Sequence, residues 1–161
     1  MSRPYRICFV CLGNICRSPT AEGVMLHQLK AEPTLRMEVD SAGTGAWHAG
    51  ETADSRAQST ARKRQITLPS RARQFKARDF ETFDLILAMD QENLKQLQIL
   101  AKNEKQRSKL RLFRDFDSTI QGAGDVPDPY YGGENGFEEV FDMCERTCRS
   151  LIRYIKKEHL Q

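Results

Sequence analysis

Between Val10 and Pro19 the chain reads V-C-L-G-N-I-C-R-S-P, and these ten residues restrict its possible folds more than any other stretch. The apolar run Ile7, Cys8, Phe9 and Val10 that leads into it has the character of a strand covered on both faces. Gly13 and Asn14 are residue types that accept a positive φ, which suits a tight loop. Ser18 predicts an N-cap, and Pro19 the first position of a helix. Strand, loop and helix are thus compressed into one short segment.

Such a segment suits an oxyanion. The backbone N–H groups of Leu12, Gly13, Asn14, Ile15 and Cys16 can converge on a tetrahedral anion, the helix adds its positive end, and Arg17 offers a planar fork of donors. The same groups favour the thiolate of Cys11, a nucleophile aimed at phosphorus. Taken alone, a cysteine at a strand end is usually a packed thiol. The full string is specific because each residue answers a separate geometric demand. A metal site built from Cys8, Cys11 and Cys16 is disfavoured, since Cys8 belongs to the strand, no fourth ligand lies nearby, and a guanidinium repels a cation. No Walker-type G-x-x-x-x-G-K followed by Ser or Thr is present.

The remaining pattern alternates strand and helix. Arg6 to Val10 predicts a central strand, and Ala21, Val24, Met25 and Leu29 a one-sided helix ending before Pro33. Met37 to Ser41 alternates like a strand, followed by a Gly-rich loop from Ala42 to Ser55 that holds Trp47. Asp54 or Ser55 can cap a basic helix through about Arg64. Phe83 to Met89 reads as a second buried strand, Gln91 to Ala101 as a helix, Lys102 to Lys109 as a solvated helix end or loop, and Leu110 to Phe113 as a weak last strand. Phe137, Val140, Phe141, Cys144, Cys148, Leu151, Ile152 and Ile155 trace one stripe on a long final helix. Alternation of this kind predicts an α/β fold with a mainly parallel sheet, whose ligands sit beyond the carboxyl ends of the strands.

The 161 residues, 39% hydrophobic, suit a single domain spanning 1–161. A formal net charge of +3 is compatible with an anionic substrate but lacks the basic stripe of a nucleic-acid binder, so no nucleic-acid partner is expected. No apolar stretch reaches the length of a membrane span and Met1 to Val10 holds no signal-like segment, so a cytoplasmic protein without a membrane partner is expected. Five cysteines without a secretory signal point to reduced thiols.

Phosphoester cleavage needs a proton donor for the leaving oxygen. The run D-V-P-D-P-Y-Y-G-G from Asp125 to Gly133 is a turn-rich surface loop. Asp128, restricted by Pro129 and followed by Tyr130 and Tyr131, is the preferred donor, with Asp125 the competing carboxylate. General acid help of this kind is worth roughly 100- to 10,000-fold.

The string C-x-G-N-x-C-R-S-P together with D-P-Y-Y-G resembles the low-molecular-weight protein tyrosine phosphatases, and the similarity runs from the first strand to the final helix. The resemblance implies a three-layer α/β domain, a four-stranded parallel twisted sheet with helices on both faces. It also implies a double displacement that uses neither metal nor cofactor. Cys11 would be the nucleophile, Arg17 the phosphoryl ligand and Asp128 the general acid; Ser18 would support the leaving thiolate, while Asn14 and Ser41 brace the loop. Leu12, Gly13, Ile15 and Cys16 complete the implied phosphate cradle, with Trp47, Tyr130 and Tyr131 around the cleft. In the family Cys16 can form a reversible disulfide with the nucleophile. Implied partners are phosphotyrosine-containing proteins, with free phosphate or other oxyanions in the loop, and the expected state is a monomer. One departure stands out: vertebrate members carry a histidine two residues before the Ala-Arg-Gln run, where this chain has Ser70.

Three alternatives stay open. Arsenate reductase on the same fold would need further cysteines between about Ser70 and Ala101, where the chain has none. Phosphoarginine phosphatases carry threonine where Ile15 stands. A non-catalytic phosphotyrosine-binding module needs neither Cys11 nor Asp128.

Overall fold

The side chains of Ile7, Cys8, Phe9 and Val10 are fully buried, as their continuous apolar run demands. They form the centre of β1 (Tyr5–Cys11) in a computed structural model that describes residues 3–120, 124–131 and 135–158. The chain continues through α1 (Arg17–Leu29), β2 (Met37–Gly43), α2 (Ser55–Lys63), α3 (Asp79–Thr82), β3 (Leu85–Ala88), α4 (Gln91–Leu100), α5 (Glu104–Arg107), β4 (Leu110–Leu112) and α6 (Asn135–Glu158). All strand pairs are parallel, in the order β2-β1-β3-β4. The chain leaves β1 toward β2 on one side, while β3 flanks β1 on the other. The carboxyl end of β1 is therefore the switch point at which a ligand crevice opens.

Alternate residues of β1 feed two separate cores. Ile7 and Phe9 face α1 and α6, packing with Val24, Met25, Phe141, Cys144, Cys148 and Leu151. Cys8 and Val10 face the opposite layer, with Phe80, Ile86 and Leu97. Fully burying each large side chain of this kind stabilises the fold by about 1.5–3 kcal/mol. The α6 stripe is thus core, as its spacing predicts, and Cys144 and Cys148 are fully buried. Burial pushes both thiols well above the ordinary cysteine range.

Several boundaries depart from the sequence expectation. The helix after the loop starts at Arg17 with Cys16 in the cap position, two residues before the Ser18 cap expected. Ser18 is diverted because its hydroxyl is engaged by Cys11 and Asn14 inside the loop. Pro19 still fits, since a first-turn residue has no intrahelical N–H partner to lose. β2 runs on to Gly43, where an added Cβ would lie 2.7 Å from the Leu12 carbonyl, so only glycine permits this approach. The charged segment before β4 contains a short helix, α5, capped by Asn103. Asp54 caps α2, as expected, by accepting the Arg56 N–H at 2.8 Å. No helix among the described residues is long and apolar enough to cross a membrane.

Beyond β4, a 3-10 turn (Phe113–Phe116) leads to Asp117, whose carboxylate is 1% exposed. It accepts from Arg114 and Arg146, each at 3.2 Å, and from the Thr119 N–H at 3.0 Å and hydroxyl at 2.7 Å. Burial alone would raise this carboxyl, but the bonds from Thr119, Arg146 and Arg114 outweigh it and hold Asp117 at about 2, against an ordinary 3.8. A depressed carboxyl contributes stability above its unfolded pKa and loses it as pH falls through the folded one. Asp117→Asn is therefore expected to lower stability by about 2 kcal/mol at neutral pH. The gap to wild type should persist down to about pH 4 and shrink from there toward about pH 2, as urea denaturation across that range would show.

Candidate active site

Cys11 ends β1 with 2% exposure, and the loop that follows turns back over it. Asn14 takes φ 58°, the left-handed conformation its residue type tolerates. Its N–H donates to Cys11 Sγ at 3.3 Å. Its side-chain amide is fixed at both ends: Oδ1 accepts the Arg73 N–H at 3.0 Å, and Nδ2 donates to Ser18 Oγ at 2.8 Å and Ser41 Oγ at 3.0 Å. Ser18 Oγ, with a donor already pointing at it, lies 3.0 Å from Cys11 Sγ, nearer than the Ala42 carbonyl at 3.4 Å. The Ser18 hydroxyl is thereby placed to donate to a thiolate at this position. Ser41 in turn donates to Glu22 Oε1 at 2.6 Å and lies 3.3 Å from Ser70 Oγ. Serine at position 70 therefore keeps the bracing network closed. Burial raises the Glu22 carboxyl, and hydrogen bonds from Ser41 and Ser70 only partly offset this.

Arg17 is 3% exposed and is held from one side of its guanidinium. Nη1 donates to Asp90 Oδ2 at 2.5 Å and to the Val126 carbonyl at 3.1 Å, while Nη2 lies 3.6 Å from Asp128 Oδ2. Burial works against its charge, but Cys11, Asp90 and Asp128 outweigh it and hold the Arg17 pKa above its ordinary value. Cys16 is a buried thiol whose pKa is raised chiefly by burial and then by Asp54, Cys11 and Asp128. Cys11 and Cys16 are both free.

A cavity of about 430 Å³ opens above this loop, lined by Cys11, Leu12, Gly13, Ile15, Cys16, Arg17, Trp47, His48, Asp128 and Tyr130. It brings together the nucleophile candidate, the arginine, the carboxylate and two of the aromatic residues expected around it. Trp47 is 72% exposed and stands at the rim. Asp128 follows the same rim, its side chain 37% exposed, and accepts the Tyr130 N–H at 3.0 Å. Tyr131 closes the 3-10 turn Pro129–Tyr131, and its side chain lies outside the described part of the structure, as do Gly132 and Gly133. The competing carboxylate, Asp125, is directed elsewhere and accepts the Gln91 N–H at 3.0 Å.

A cysteine under an anion loop, a buried arginine and a carboxylate lining the same cavity form a geometry suited to phosphoryl transfer. The family model described as low molecular weight phosphotyrosine protein phosphatase matches residues 6–161. The chain belongs to this family. The low molecular weight protein-tyrosine-phosphatase of Streptomyces coelicolor is 44% identical over 156 residues, 96% of this chain and 95% of that protein. Among solved structures, a protein tyrosine phosphatase from Entamoeba histolytica with Hepes in the active site superposes with TM-score 0.91 at 40% identity, covering 97% of this chain and 99% of that one. A Drosophila arginine phosphatase shares the fold with TM-score 0.87 at 28% identity, covering 94% and 98%.

Several groups in this phosphatase's site escaped sequence reasoning. Asp90 is visible in the sequence only as the residue ending the second buried run, which is where an α/β sheet presents ligand-facing groups. His48 follows Trp47 and packs against the loop: a Cβ on Gly13 would sit 3.0 Å from its ring. Arg56 stacks over Tyr130 at 5.3 Å, a cation–π contact that steadies the cavity wall and carries no sequence signal. Asp90→Asn removes the charge that orients Arg17, so inorganic phosphate should inhibit the variant about tenfold more weakly, as inhibition constants at fixed ionic strength would show.

Proposed function

We propose that this chain hydrolyses phosphotyrosine in proteins, and small aryl phosphates, through a phosphocysteine on Cys11, its 161 residues acting as one phosphatase domain. In the first step Cys11 Sγ attacks phosphorus while the ester P–O bond breaks, and Asp128 gives its proton to the departing phenolic oxygen. In the second step water attacks the phosphocysteine, Asp128 takes a proton from that water, and sulfur leaves as a thiolate that accepts a hydrogen bond from the Ser18 hydroxyl. Arg17 and the N–H groups of the loop from Leu12 to Ser18 hold the phosphoryl oxygens. They act electrostatically on charge that develops in the transition state.

The observation that carries this reading is the convergence of Cys11, Arg17 and Asp128 on one cavity, with the Ser18 hydroxyl 3.0 Å from the sulfur. Phosphotyrosine rather than phosphoarginine is favoured by the walls. Ile15, Trp47 and Tyr130 present apolar and aromatic surface to a flat ring, whereas a guanidinium placed against Ile15 would lack a hydrogen-bond partner there.

Turnover of an aryl phosphate in the presence of a chelator tests the mechanism. Cys11→Ser is expected to lose measurable turnover, and Asp128→Ala to lose roughly 100- to 10,000-fold in kcat. Near-wild-type activity in the serine variant would overturn the nucleophile assignment. A higher kcat/KM for phosphoarginine peptides than for phosphotyrosine peptides would overturn the substrate assignment.

A further inference from the structure

Asp128 sits on a loop whose position is set three residues upstream. The Asp125 carboxylate accepts the Gln91 N–H at 3.0 Å, tying the loop to the start of α4. The Val126 N–H donates to the Met89 carbonyl at 2.7 Å, and the Val126 carbonyl accepts from Arg17 at 3.1 Å. Val126 itself is fully buried. From there Pro127 and Pro129 flank Asp128, so with two fixed φ angles the carboxylate inherits its direction from the Asp125–Val126 clamp.

One further anchor reaches this clamp from outside the cavity. Arg114, in the turn after β4, is 13% exposed. Its Nη1 donates to the Asp125 carbonyl at 3.1 Å while Nη2 donates to Asp117 at 3.2 Å. Asp117 is in turn gripped by Arg146 of α6. The guanidinium fork thus connects the acid loop to a buried carboxylate fixed in the core, and a planar group with two separated donors is needed to span both acceptors.

We propose that Arg114 is a positioning residue for the general acid, holding the Asp125–Val126 backbone so that Asp128 meets the leaving oxygen. The proposal rests on Asp128 being the proton donor. A loosened donor costs most where the leaving group most needs protonation, so the effect depends on the phenol released. Loss of packing alone would lower all substrates alike.

The test compares kcat/KM, which reports phosphoryl transfer to Cys11, for phenyl phosphate and for p-nitrophenyl phosphate, whose phenol is far more acidic. In Arg114→Gln the ratio of the two is expected to shift about tenfold toward the nitrophenyl ester. Arg114→Lys, which keeps the charge beside Asp117 but cannot span both acceptors, should give a smaller shift in the same direction and serves if the glutamine variant does not fold. Inhibition by inorganic phosphate should weaken by less than the shift in the ratio, since Arg17 keeps Asp90 even where its bond to Val126 loosens. A ratio unchanged from wild type in the folded variants, or an equal fall for both esters, would overturn the proposal. Asp128→Ala separates the two readings: if it leaves the ratio unchanged, the donor assignment itself fails, and if it shifts the ratio while the Arg114 variants do not, only the positioning role fails.

Discussion

A guanidinium that is 3% exposed cannot be left without partners, and the charge of Arg17 is answered from three parts of the chain. Asp90 arrives from the end of β3, the Val126 carbonyl and Asp128 from the loop before α6, and Cys11 from the end of β1. Removing such a charge from water costs several kcal/mol, which only close partners recover. The parallel sheet meets that demand because its strands all end on the same side. With β1 between β2 and β3, the cysteine, the arginine and its carboxylate are brought together by topology.

The anion loop depends on a second layer of polar groups behind it. Asn14 holds a left-handed backbone, and its amide is bound at both ends by Arg73 on one side and Ser18 and Ser41 on the other. Arg73 is itself clamped between Asp40 and Asp79, each at 3.0 Å. Glu22 completes the layer by accepting from Ser41. Backbone N–H groups aimed at an oxyanion work only if they are already in place, and this buried network supplies the rigidity that a loop of this length lacks on its own.

What was legible in the sequence followed the range of the interactions involved. β1 and α6 were readable because each is specified by neighbours along the chain, an unbroken apolar run in one and a stripe at helical spacing in the other. The C-x-G-N-x-C-R-S-P string was readable for the same reason, since its geometry is local. The position of the helix start was not, because Ser18 gives its hydroxyl to Cys11 and Asn14 rather than to a cap, a choice made by the loop's fold. α3, a short helix from Asp79 to Thr82, had no periodicity to show; it is held by the burial of Phe80 and by the Asp79 carboxylate accepting the Lys76 N–H at 2.7 Å. Asp90 pairs with an arginine 73 positions away, and no pattern in a single sequence reports such a contact.

The same distance argument explains why the proposed phosphate ligand and the proposed proton donor are linked here. Asp128 could have been carried by a loop independent of the cradle, but Val126, two residues before it, is hydrogen-bonded to Arg17 itself. One guanidinium edge thus faces the carboxylate of β3's end and the backbone of the acid loop, while the other faces Asp128. Any motion that carried the loop outward would break the Val126 bond and leave Arg17 with less of its buried charge compensated. The cost of burying Arg17 is therefore also a restoring force on the loop that carries Asp128, which keeps the proposed phosphate ligand and the proposed proton donor in register across a separation of more than a hundred residues.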